Sequence, residues 1–258
     1  MIALVTGASS GLGAATARRL AAEPGVRLVL VARRRERLEA LAAELGGATV
    51  IPADLRFPEA PATIAERVEA EHGRLDLLVN CAGVGGRGRF ADTGWAGVEA
   101  AMATNFDAIV RLTEALLPLL RRSAPSAVVN VASVAGRVSR PGAGAYSASK
   151  FALIGWSEAL QLEERGHGVH VGLVLPGFVP TEGFPQRELL ARSLTRWMVS
   201  STDKVAEAIV EVARRRVPER YVPRPYALVP FARQLLPGLY RRAVGGGGFT
   251  PTAGGGKG

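Results

Sequence analysis

Tyr146 and Lys150 stand four residues apart in the stretch GAYSASKFAL. On a helix that spacing places both side chains on one face, one turn apart. An ammonium beside a phenol favours the phenolate and pulls the tyrosine pKa down from about 10 toward working pH. Such a tyrosine can give a proton to a carbonyl oxygen being reduced, or take one from an alcohol being oxidised. Ser133, thirteen residues before Tyr146 in VVNVASVAG, could hydrogen-bond and polarise the same oxygen. Each feature alone is commonplace, because many helices carry such a Tyr and Lys and many strands are followed by a serine. Their order behind a glycine-rich loop is what gives them weight.

That loop is VTGASSGLG, Val5–Gly13, with Gly7, Gly11 and Gly13 between a first strand and a first helix. Glycines there let the backbone turn tightly against a pyrophosphate, and the helix N-terminus offers free N–H groups and a positive dipole end. Ser9 and Ser10 add hydroxyl donors, and Leu12 belongs to the same stretch. A glycine-rich turn without a ligand is the alternative, and the strand–turn–helix placement argues for a dinucleotide. Arg33, Arg34 and Arg35 follow the second strand, where an Asp or Glu would meet a free ribose 2′-hydroxyl. Guanidinium groups suit a 2′-phosphate instead, which favours NADP(H) over NAD(H), with Arg33 the first candidate and Arg34 the second. At least one of the three arginines is expected to be plain solvated surface. Asp54 and Leu55 follow the third strand, where Asp54 could accept from the adenine amino group. In NCAG, small Ala82 and Gly83 leave room for the adenosine ribose. Asn80, counted with this cofactor-facing set, could also bind sheet backbone.

The elements that must hold these residues alternate along the chain. Apolar, β-branched runs read as buried strands at Ile2–Val5, Arg27–Val31, Thr49–Ile51, Leu75–Val79, Ala127–Val131 and His170–Leu175. Helical patterns fill Ala14–Ala22, Arg35–Leu45, Glu59–Glu71, Glu99–Arg122, Ser147–Arg165 and about Asp203–Arg216. Continuous rather than alternating apolar strands imply a sheet covered on both faces. Strand–helix alternation implies right-handed βαβ units and a doubly wound parallel sheet. One catalytic domain over 1–222 is expected, with an irregular insert at about 178–201, a basic apolar extension over 223–244 and a disordered Gly-rich tail over 245–258.

Net charge is +9 over 258 residues, which raises nucleic acid as a partner. Residues 212–258 carry nine basic side chains and one acidic, Glu219, so the rest of the chain is nearly balanced and nucleic acid is not expected. The lone Cys81 cannot form an internal disulfide, and no leader pattern or membrane-length apolar run is visible, so a cytoplasmic setting is expected. The three His residues show no metal-ligand spacing, and no metal is expected.

Taken together, TGASSGLG, DLLVNCAG, Asn105 in ATNFDAIVRLTEALLP, VNVASVAG, YSASK and Pro176–Gly177 resemble the short-chain dehydrogenase/reductase family. The resemblance covers roughly residues 2–222 and is specific in its combination and order. It implies a three-layer α/β Rossmann fold with a seven-stranded parallel sheet, and a tetrad carried by Asn105, Ser133, Tyr146 and Lys150. In the family the Tyr is the acid/base, and the Lys binds the nicotinamide ribose and lowers the Tyr pKa. The Ser orients the carbonyl, and the Asn holds a water in a proton relay. Pro176, Gly177, Val179 and Thr181 would meet the carboxamide end of the cofactor, and a dimer or tetramer would be usual. Two departures stand out: Cys81 replaces the usual Asn, and the chain continues past Val222.

The expected activity is NADP(H)-dependent interconversion of a carbonyl and a secondary alcohol on an apolar small molecule. Reduction of a β-ketoacyl thioester is a narrower alternative, and a non-catalytic NADP-sensing module is a different class altogether. Phe178, Phe184, Trp197 and Met198 in the insert point to an apolar substrate. In the extension, Leu228, Phe231, Leu235 and Leu239 could share a helical face interrupted by Pro230 and Pro237. A strap over the pocket or an interface is preferred there over a membrane-surface helix.

Overall fold

The computed structural model describes residues 1–86, 88–182 and 198–245. Its order is β1 (Ile2–Thr6), α1 (Gly11–Ala21), β2 (Arg27–Ala32), α2 (Arg35–Glu44), β3 (Thr49–Pro52), α3 (Ala60–His72), β4 (Leu77–Asn80), α4 (Phe90–Met102) and α5 (Ala108–Arg122). Then follow β5 (Ser126–Val131), α6 (Gly144–Glu164), β6 (Val169–Pro176), α7 (Thr202–Arg215), β7 (Glu219–Val222), α8 (Leu228–Leu235) and α9 (Pro237–Gly245). The strands form one seven-stranded sheet in the order β3-β2-β1-β4-β5-β6-β7, and every pairing is parallel. The expected doubly wound architecture is therefore present.

Strand geometry explains why both faces are apolar. Ala3, Val5, Leu28 and Leu30 turn to one side, packing with Ala17 and Leu20 of α1, Leu38 of α2 and Ile209 of α7. Ile2, Leu4, Val29 and Val31 turn to the other, meeting Ile64 of α3 and Leu112 and Leu116 of α5. Side chains alternate along a strand, so a sheet buried on both sides needs apolar residues at every position. Each such Leu, Ile or Val contributes about 1.5–3 kcal/mol on full burial.

Between α4 and α5 the predicted single helix is broken by a π-helical turn, Ala103–Asp107, and α4 starts well before Glu99. Helix α7 is capped as its sequence predicts. The Ser201 hydroxyl accepts from Lys204 N at 3.3 Å, with Asp203 in the first turn and Arg214 and Arg215 in the last. In the extension the prolines open helices rather than stop them. Pro230 lies in the first turn of α8 and Pro237 begins α9, where no helical N–H partner is lost. Phe184, Trp197 and the tail beyond Gly245 lie outside the described residues.

The chain runs outward from β1 through β2 to β3, then returns to place β4 beside β1. Reversal of this kind opens a crevice at the carboxyl ends of the two central strands.

Candidate active site

At that crevice β1 ends in Thr6, whose hydroxyl accepts from the amides of Cys81 and Ala82, each at 3.0 Å. This ties the end of β1 to the end of β4. Gly7 follows with φ +66°, a left-handed backbone that disfavours any side chain. At Gly13 a Cβ would collide with the carbonyl oxygen of Gly7. The loop and the first turn of α1 thus close on each other only because neither carries a side chain, leaving the α1 N-terminus open to the crevice.

A cavity of about 840 Å³ fills the crevice. Its walls include Gly7, Ser9, Ser10, Gly11, Leu12 and Gly13 from the loop, Arg33 and Arg34 after β2, and Asp54 and Leu55 after β3. Ala82 and Gly83 follow from β4, Ser133 from β5, Tyr146 and Lys150 from α6, and Pro176, Gly177, Val179 and Thr181 from the end of β6. Of the residues singled out from the sequence, Asn80 and Asn105 do not line it.

Asn80 is fully buried inside the sheet, where its amide donates to Asn130 Oδ1 at 2.8 Å and to Thr113 Oγ1 at 3.3 Å. Asn130 continues the chain to Ser157 at 2.8 Å. The Asn80 side chain thus ties the sheet to the helices behind the cavity. Asn105, in the π turn, is also buried. It accepts from Val84 N at 2.8 Å, and donates to Val84 O at 3.0 Å and to Ser149 Oγ at 3.0 Å. A Cβ on Gly83 would lie 3.1 Å from Asn105 Oδ1 and 3.7 Å from Lys150 Nζ, so the glycine keeps the space between them clear.

Ser133 and Tyr146 are partners across the cavity wall, and the serine hydroxyl also accepts from Ala135 N at 3.1 Å and lies 3.3 Å from Pro176 O. Lys150 Nζ sits 5.9 Å from the Tyr146 ring centroid and donates to Val131 O at 2.9 Å. Spacing on α6 aligns Tyr146 with Lys150, and the turn after β5 brings Ser133 to them. The expected sign of the tyrosine shift does not follow. Burial pushes the Tyr146 phenol above its ordinary value, and the hydrogen bond to Ser133 only opposes it. Burial equally pushes the Lys150 ammonium down to about 8. Low-dielectric surroundings penalise both charged forms, phenolate and ammonium, which is why both shifts oppose ionisation. Cys81 lines the same cavity, but burial pushes its thiol up to about 12, so no reactive thiolate forms there.

At the other end, Arg34 donates to Ser10 Oγ at 2.7 Å and to Ser9 Oγ at 3.1 Å. Glu182, just past the β6 end, pairs with Arg34 at 3.3 Å and with Arg37 at 2.8 Å. Asp54 is held by Arg56, with the closest approach 2.6 Å, and the charge of Arg33 also helps keep its carboxyl below the usual range. Three positioning residues were missed from the sequence: Thr6, Glu182 and Tyr226. The Tyr226 hydroxyl donates to Met198 O at 3.1 Å, and its ring fills the space that a side chain on Gly177 would need. Thr6 could have been found from its place before the loop. Glu182 and Arg34 are 148 residues apart, and nothing local couples them.

Residues 1–189 match the family described as short chain dehydrogenase. Ketoacyl reductase HetN of Nostoc sp. is 34% identical over 221 residues, covering 84% of this chain and 76% of that protein. A short-chain dehydrogenase from Streptomyces avermitilis superposes with a TM-score of 0.78 at 30% identity, covering 96% of this chain and 98% of that one. Another, from Burkholderia cenocepacia in complex with NADP, gives 0.77 at 31% identity, covering 85% of this chain and 94% of that one.

Proposed function

This chain belongs to the short-chain dehydrogenase/reductase family, and from that premise we propose that it is an NADP(H)-dependent reductase of an apolar carbonyl compound. The observation that carries the proposal is that Ser133, Tyr146 and Lys150 line the same cavity as the glycine loop and Arg33–Arg34. The residues present fit a dinucleotide. Gly13 packs against the Gly7 carbonyl with no room for a Cβ, which lets the loop turn tightly at the α1 N-terminus, and the guanidinium groups of Arg33 and Arg34 on the same cavity wall suit a 2′-phosphate. When bound, the cofactor supplies or takes the hydride.

The chain's own residues do the rest. Tyr146 holds a proton at its phenol, and its raised pKa keeps that proton in place for donation to a carbonyl oxygen at neutral pH. As the carbonyl carbon gains a hydride, its oxygen takes this proton, and a secondary alcohol leaves. Ser133, partnered with the phenol, positions the same oxygen. Lys150, its ammonium 5.9 Å from the Tyr146 ring centroid, is the group able to return a proton to the phenolate, and Asn105 would hold the water between them. Val138, Phe178, Val179, Met198 and Val229 make the substrate end of the cavity apolar.

A β-ketoacyl thioester is the second substrate reading, favoured by the relative named Ketoacyl reductase and by the arginines of the C-terminal segment. Tyr146→Phe tests the mechanism. Turnover of a carbonyl panel with NADPH should fall by at least roughly a thousandfold, while NADPH binding by fluorescence titration stays unchanged. Turnover near the wild-type level in Tyr146→Phe would refute the assignment.

A further inference from the structure

Helices α8 and α9 present two different sides. The inner side closes the cavity with Val229, Tyr240 and Val244. It is clamped to the body: the Tyr240 hydroxyl donates to Ser139 O at 2.7 Å, and Arg233 donates to Arg137 O at 2.7 Å and lies 5.2 Å from the centre of the Phe151 ring. The outer side carries Leu228, Phe231, Leu235, Leu236 and Leu239, each between 55% and 76% exposed. Leu228, Phe231 and Leu235 recur at helical spacing, so they form a stripe rather than scattered residues.

Charge separates the possible occupants of this stripe. From Arg220 to Gly258 the chain has no acidic residue. Arg241 and Arg242 are exposed and make no ion pair among the described residues. A second copy docking by a two-fold axis would bring two acid-free, basic segments together. An anionic headgroup layer above an acyl boundary supplies both missing halves, negative charge for the arginines and apolar depth for the stripe.

We propose that the outer face of α8 and α9 docks on the surface of an anionic lipid bilayer. The segment lies in the interface and does not cross, since no helix among the described residues is long and apolar enough to span a membrane. The inference stands on the surface alone and is independent of the reductase chemistry.

Flotation of the full chain with vesicles tests it. Wild type should float with mixed phosphatidylglycerol–phosphatidylcholine vesicles, far less with phosphatidylcholine alone, and less as salt is raised. Arg241→Gln and Arg242→Gln should each weaken binding about fivefold. The triple variant Phe231→Ser, Leu235→Ser, Leu239→Ser should stay in solution with its melting temperature unchanged, since all three side chains are exposed. Absence of wild-type flotation, or full flotation of the triple Ser variant, would overturn the proposal. A wild-type dimer that the triple Ser variant dissolves, without vesicle binding, would assign the face to a second copy and overturn it too.

Discussion

Lys150 is an ammonium buried where an apolar side chain would be cheaper. It is 4% exposed, bonded to the Val131 carbonyl, and its pKa falls to about 8 from 10.5. For a base with a depressed folded pKa, the cost of burying the charge is fully present below the folded value. That cost fades as pH rises toward the unfolded value. Lys150→Met is therefore expected to stabilise the cofactor-free chain at pH 7 by about 2–4 °C in melting temperature. The advantage should shrink between about pH 8 and 10.5, which a series of thermal melts across pH would follow. A lysine kept at such a cost is what the proposed proton return to Tyr146 would need. The pairing of Tyr146 with Lys150 was readable from sequence because a helix converts spacing into a shared face. The sign of the Tyr146 shift was not, because desolvation depends on tertiary burial that no local spacing reveals.

On the proposed reading, the turn from β2 into α2 carries the choice between the two nicotinamide cofactors. Arg34 is already committed to Ser9, Ser10 and Glu182, whereas Arg33 faces the cavity with Asp54 near it. If these groups meet a 2′-phosphate, Arg33→Ala combined with Arg34→Ala should raise the Kd for NADPH by roughly a hundredfold and leave that for NADH nearly unchanged. Binding titrations with both cofactors would decide it, and equal losses for the two would exclude a 2′-phosphate site here. Strands were legible because burial on both faces writes itself as an unbroken apolar run. The π turn at Ala103–Asp107 was not, since one residue slipped into a helix leaves its composition unchanged. Pro237 does interrupt the helical face, between Leu235 and α9, whereas Pro230 fits the first turn of α8, a position that sequence alone does not reveal.

At the scale of the molecule, the cavity is built mainly at the strand ends and by α6, and the extension closes it. Tyr226 beneath Gly177 fastens that extension, and Val229, Tyr240 and Val244 complete the wall. Removing residues 229–258 should leave the melting temperature and the cofactor Kd nearly unchanged. It should raise KM for a bulky apolar carbonyl roughly tenfold, as three apolar contacts are lost. Steady-state kinetics on the truncated chain would check this, and an unaltered KM would detach the extension from substrate binding.

The pairing of α1 with α7 has a consequence in time. Ala17 and Leu20 share one apolar cluster with Val205 and Ile209, and Arg19 is paired with Glu207, a sequence separation of 188 residues. During synthesis α1 leaves the ribosome well before the surface that covers it. Contacts this distant form late, and the apolar side of α1 waits uncovered until α7 has been made.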